Sequence, residues 1–109
     1  MAWIYLLAAG ITEIVWAVGL KYSDGFKRLW PSVFTIIVML LSFILLSQAM
    51  RKLPLGTAYA VWTGIGAVGT VIYGMWRFNE PRDIPRILCV MLIVGGIIGL
   101  KAMTPTSPE

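Results

Sequence analysis

Glu13 is the residue whose chemistry is hardest to ignore. It lies in the stretch LLAAGITEIVWAVGL, Leu6–Leu20, where every other residue is apolar, small or uncharged. An ionisable group among such neighbours is costly and marks a functional site by default. The alternative, a structural ion pair, needs a buried Lys or Arg. No other long apolar stretch carries a charge at comparable depth. A carboxylic acid withdrawn from water favours its neutral form, and a nearby organic cation favours the charged one. Proton and cation therefore compete for one group, which is the minimum machinery of a proton-coupled cation antiporter.

Helical spacing puts Ala9, Gly10, Trp16 and Ala17 on the face of Glu13. Gly10 and Ala9 are expected to leave space beside the carboxylate. Trp16 offers an aromatic ring one turn away, and a desolvated cation over such a ring gains about 2 kcal/mol. Further along, Tyr59, Trp62, Thr63, Gly66, Thr70 and Tyr73 recur at steps of three and four. An interfacial aromatic belt accounts for Tyr59 and Tyr73 near the ends of that stretch. It fits Trp62 and Thr63 less well, because they lie deeper, so the stripe is read as the lining of a polar cavity. Ser42 is the polar residue nearest the middle of the second stretch, although a serine can also bond its own backbone.

Other patterns carry less. GIGAVG (Gly64, Gly66, Gly69) matches a dinucleotide-binding spacing, but that motif needs a strand before it, and here it lies inside an apolar helix. Gly95 and Gly99 form a GxxxG, which reads as a helix-association face. There is no His, and Cys89 is the single cysteine. Metal binding, cofactor chemistry and covalent catalysis lack residues, so no enzyme is expected.

The elements that must position these residues follow from composition. Of 109 residues, 59% are hydrophobic and 13% charged, and mean hydropathy is +0.84. A small water-soluble fold needs more polar surface than this. A bilayer core is crossed by about 20 helical residues. The apolar segments predict an all-α integral membrane domain over residues 1–103, with helices at about 2–21, 31–51, 55–76 and 85–103. Residues 104–109 read as a flexible tail. Pro31, Pro54 and Pro85 mark helix starts. The first helix lacks the basic leader and the short core of a signal peptide, so it is expected to stay in the mature protein.

The net charge of +4 does not point to nucleic acid, because the basic residues flank the spans, where they anchor against lipid headgroups. Loops one and three hold Lys21, Lys27, Arg28, Arg77, Arg82 and Arg86, while Arg51, Lys52 and Lys101 lie on the opposite side. That distribution leans toward cytoplasmic loops one and three. A chain that inserts both ways stays open.

Four short helices are too few to enclose a substrate between two inverted repeats. Two copies in antiparallel arrangement would themselves form the repeat, with both Glu13 carboxylates on one cavity. Exchanging two protons for one monovalent cation moves net charge, worth about 2.3 kcal/mol per elementary charge per 100 mV.

The chain resembles the small multidrug resistance family along almost its whole length. Glu13, KYSDGFKRLWPS and PLGTAYAVWTGIGAVG carry the resemblance. Within the family it looks like the guanidinium exporter subtype, through GITEIVWAVGLKYS with Trp16 and GIIGLKA with Lys101. Quaternary ammonium exporters of the family usually have glycine where Trp16 stands. The resemblance implies an antiparallel homodimer in a bacterial inner membrane, with alternating access. It implies Glu13 as the shared proton and substrate site. Trp16, Ser42, Tyr59 and Trp62 would surround it, Gly10 would line the same pocket, and Gly95 and Gly99 would lie in a dimerising fourth helix. The competing readings are a broad exporter of quaternary ammonium and hydrophobic cations, a non-transporting partner subunit, and a passive cation channel.

Overall fold

The computed structural model describes residues 2–104. Four α-helices account for nearly all of them: α1 (Ala2–Tyr22), α2 (Leu29–Ala49), α3 (Leu55–Arg77) and α4 (Ile84–Met103). All four are long and apolar enough to cross a membrane. At a rise of about 1.5 Å per residue, each matches a hydrocarbon core about 30 Å thick. The chain is a multi-pass membrane protein. Beyond Thr104, the tail expected to be flexible lies outside the described residues.

The prolines sit near the helix starts, though not at the first position. α2 begins at Leu29, ahead of Pro31, and α4 at Ile84, ahead of Pro85. First-turn backbone N–H groups have no intrahelical acceptor, so proline costs nothing there. Pro54 is the N-cap of α3. Between α1 and α2 the chain reverses through Asp24, Gly25 and Phe26, all at positive φ. The buried Ser23 holds this turn, donating to the Leu20 carbonyl at 2.7 Å and accepting from the Phe26 N–H at 3.2 Å.

α1 is the central helix. It packs along α2 and α3, whereas the α4 backbone packs only on α3. Several of the buried apolar residues are small: Ala2, Ala9, Ala49 and Ala58 are closed off almost completely. Lipid is as apolar as leucine, so helices in a bilayer associate through close packing of small residues and through hydrogen bonds. Gly19 shows the first device, since a Cβ there would collide with the Thr35 hydroxyl. Thr12 and Thr35 show how hydroxyls are satisfied at depth. Thr12 donates to the Ala8 and Ala9 carbonyls, and Thr35 to the Pro31 carbonyl.

α4 has no buried residue. Its inner edge touches α3, where Ile97 and Ile93 lie against Gly64. Near its end, the Lys101 ammonium lies over the Trp3 ring of α1, 4.8 Å from the centroid.

Candidate functional site

The sequence places Glu13 near the middle of α1, and the fold turns it toward α3. Its carboxylate lies against Gly66, where any Cβ would collide with it. One carboxylate oxygen is buried and has no hydrogen-bond partner. One turn on, the Trp16 indole N–H is also buried and unpartnered. An unsatisfied polar group away from water costs about 1–3 kcal/mol, and the cost rises for a charge. These two groups lie on adjacent turns of α1, and the Trp3 indole N–H, nearer the start of the helix, is a third buried group without a partner.

Ser42 meets α1 from α2, one turn before Glu13. Its hydroxyl is fully buried and donates to the Ala9 carbonyl of α1 at 2.9 Å. It accepts the Trp62 indole N–H of α3 at 3.1 Å. The serine bonds across helices, not to its own backbone, and ties three spans together in one chain of hydrogen bonds. Rings continue the network. Trp16 meets Phe43 edge-on at 6.4 Å, Phe43 meets Trp62 at 5.9 Å, and Trp62 meets Tyr59 at 5.7 Å.

The structure therefore links Trp16, Ser42, Trp62 and Tyr59 through Phe43 in one network, which meets α1 on the turns either side of Glu13, while two expected residues stand differently. Gly10 opens no space beside the carboxylate. It backs onto Ile65, whose Cγ2 would lie 2.6 Å from a Cβ there. The space comes from Gly66 instead. Thr63 is exposed on α3 and joins none of the hydrogen bonds above. The stripe on α3 divides in two: Thr70 and Tyr73 lie toward the third loop, where Tyr73 packs on Trp76 and Phe78. Gly95 and Gly99 face open space, with nothing within 4 Å of a Cβ at either.

Phe43 was not legible as part of the ring network, because a phenylalanine in an apolar helix is unremarkable by type. Its position next to Ser42 was the only signal. Among the described residues, no group of three or more His, Cys, Asp or Glu is placed to hold a metal.

Substituting Ser42 by alanine is expected to leave the buried Trp62 N–H without an acceptor. The predicted cost is about 1–3 kcal/mol of stability, read as a shift in thermal or denaturant-induced unfolding in detergent. An unshifted transition would show that the serine bridge adds nothing net.

Residues 1–93 match the family described as Small Multidrug Resistance protein. The chain belongs to that family. Among its relatives, the guanidinium exporter of Proteus vulgaris is 60% identical over 101 residues, covering 93% of this chain and 97% of the relative. The guanidinium exporter of Citrobacter freundii is 59% identical over 104 residues, covering 95% and 99%. That of Yersinia pseudotuberculosis is 58% identical over 101 residues, covering 93% and 97%. The match to the small multidrug resistance family takes in Glu13, Ser42, Tyr59 and Trp62 and stops within α4. The relatives' matches extend to nearly the full chain.

Proposed function

We propose that this small multidrug resistance protein is a transporter, not an enzyme. It exports guanidinium and small substituted guanidinium-like cations across the bacterial inner membrane in exchange for protons. The observation that carries this reading is the partnerless Glu13 carboxylate oxygen at mid-span, in the space left by Gly66. The relatives named guanidinium exporter support the choice of cation.

Guanidinium is planar and presents paired N–H donors that match the two oxygens of a carboxylate. In an antiparallel homodimer, the two Glu13 side chains face one cavity from opposite protomers. The uncovered face of α4, with Gly95 and Gly99, supports a second copy docking there. A proton on Glu13 excludes the cation, and the cation displaces the proton. Each side of the membrane is served in turn as the dimer alternates between two equivalent arrangements. The sign with pH follows: apparent cation affinity falls as pH falls, because protons occupy the same carboxylates. Trp16, Phe43, Trp62 and Tyr59 bound the site with rings, and these favour a small flat cation over a bulky one.

The test is electrical current from purified protein in liposomes on a solid-supported membrane. Guanidinium, tetramethylammonium and a bulky aromatic quaternary cation are applied in turn under a proton gradient. Current with guanidinium alone supports the reading. Current with all three moves the protein to broad quaternary ammonium export. The absence of current from folded dimers points to a partner subunit. Trp16→Gly removes the ring one turn from the carboxylate on α1 and is expected to admit tetramethylammonium in the same assay. An unchanged substrate profile in that variant would refute the selectivity role of Trp16.

A further inference from the structure

A second carboxylate lies on the seam that holds Glu13. α3 ends at Arg77, and the chain turns back through Asn79 at φ +57. The Phe78 and Glu80 N–H groups both donate to the Gly74 carbonyl, at 3.0 and 3.1 Å. The Arg82 guanidinium fixes the loop further by donating to the Met75 carbonyl, at 3.2 Å from Nε and 2.7 Å from Nη2. This reversal lays the Glu80 carboxylate on the bare α-carbon of Gly74, where its carboxyl carbon would be 2.7 Å from a Cβ. Gly74 thus does for Glu80 what Gly66 does for Glu13. The two glycines are eight positions apart on α3, about 12 Å along the axis.

A cavity of about 120 Å³ lies at Glu80, lined from α1 by Ala17, Val18 and Lys21 and from α3 by Thr70, Tyr73 and Gly74. Ala17 is one turn beyond Glu13 on α1, and Thr70 one turn beyond Gly66 on α3. The cavity ends at Glu80, and its inner lining lies one turn from Glu13 and Gly66, neither of which lines it. It has room for several waters at about 30 Å³ each. Unlike Thr12 and Thr35, Thr70 spends no hydrogen bond on its own helix among the described residues. Its hydroxyl is free to bridge water. The cations around the mouth have other contacts, and Arg77 at the end of α3 interacts with the Tyr73 side chain. The Lys21 ammonium lies over the Phe78 ring, 5.0 Å from its centroid, and Arg82 is bound to backbone. Among the described residues the one ion pair is Arg86–Asp83, so no ion pair neutralises Glu80.

We infer that Glu80 is a proton-transfer residue for the exchange reaction, at the outer end of a hydrated route from Glu13 past Thr70. This rests on the transport reading above. When a cation binds Glu13, the carboxyl proton leaves through water at Thr70, is held on Glu80, and passes from there to solvent. The reverse sequence reloads Glu13 with a proton from solvent. No bond other than O–H forms or breaks, and the carboxylates end as they began. In an antiparallel dimer, each side of the membrane has one such mouth.

The experiment compares wild type and Glu80→Gln in liposomes by two measurements. Proton-coupled guanidinium exchange needs the route, and tracer guanidinium-for-guanidinium exchange at equal pH does not. Coupled exchange is expected to slow by about tenfold, less than the hundredfold or more a positioned acid–base group can contribute, because solvent at the mouth offers a slower bypass. Tracer exchange and guanidinium affinity are expected to hold. Gly74→Ala, which keeps the charge but pushes the carboxylate off the seam, is expected to act in the same direction. Unchanged coupled exchange in Glu80→Gln overturns the route. Equal loss of both exchanges also overturns it, since Glu80 then serves the transport motion as a whole. A wild type that exchanges guanidinium for guanidinium but not for protons removes both the coupling and the route, and a wild type that moves no guanidinium removes the transport reading itself.

Discussion

Replacing Glu13 by glutamine is expected to reduce proton-coupled guanidinium exchange to background while the four-helix fold persists. The amide has nearly the shape of the carboxylic acid, so the space against Gly66 stays filled. What is lost is the titration. An amide neither releases a proton at accessible pH nor carries the charge that a cation needs. Hydrogen bonds to a charged group are worth about 1.5–3 kcal/mol, so cation affinity is also expected to fall by about 10–100-fold. Two measurements check this: current under a proton gradient, and guanidinium binding followed through the tryptophan fluorescence of the purified protein. Trp16 and Trp62 lie in the ring network beside the site and are suited to report occupancy. Proton-driven current retained in the variant would sink the mechanism, because no other acid is placed at mid-span in α1–α4.

Gly66→Ala is the second large effect, and it separates function from folding. Alanine is a better helix former than glycine by about 1 kcal/mol, so helix propensity alone favours the variant. The methyl group, however, enters the volume now held by the Glu13 carboxylate. The side chain is flexible enough to swing aside, which keeps the fold but moves the oxygens off the position where a planar cation meets them. Losing one of two paired charge-assisted contacts costs about 1.5–3 kcal/mol. Guanidinium affinity is therefore expected to drop by about 10–100-fold, with thermal stability in detergent equal to wild type or higher. Unaltered affinity would mean that Gly66 is only a packing residue. A collapsed melting transition would mean that the α1–α3 seam cannot yield.

The number and type of helices were set by the sequence alone. Apolar runs of about 20 residues have one way to satisfy their backbone in lipid, so length and hydropathy dictate four spans. The prominence of Glu13 was equally local: an acid with no basic residue at its depth stands out by composition. Pro54 marked the start of α3, whereas α2 and α4 begin ahead of Pro31 and Pro85, because proline is tolerated throughout a first helical turn.

What the sequence left open depended on how one helix is rotated against another. Glu13 could have faced α2, α3 or lipid, and only packing put it on Gly66. Gly10 and Gly66 are both small residues on site-facing helices, yet Ile65 fills the space at one and the carboxylate fills the other. Ser42 could bond its own helix or a neighbour. The close approach of α1 and α2, allowed by Ala9 and Gly19, decided for the neighbour. The pairing of Glu80 with Gly74 needed the chain reversal at Asn79, which brings residues six apart into contact after a helix has ended. Periodicity within a span reports which residues share a face. The partner that face meets is fixed by the packing of whole helices, which no single stretch encodes.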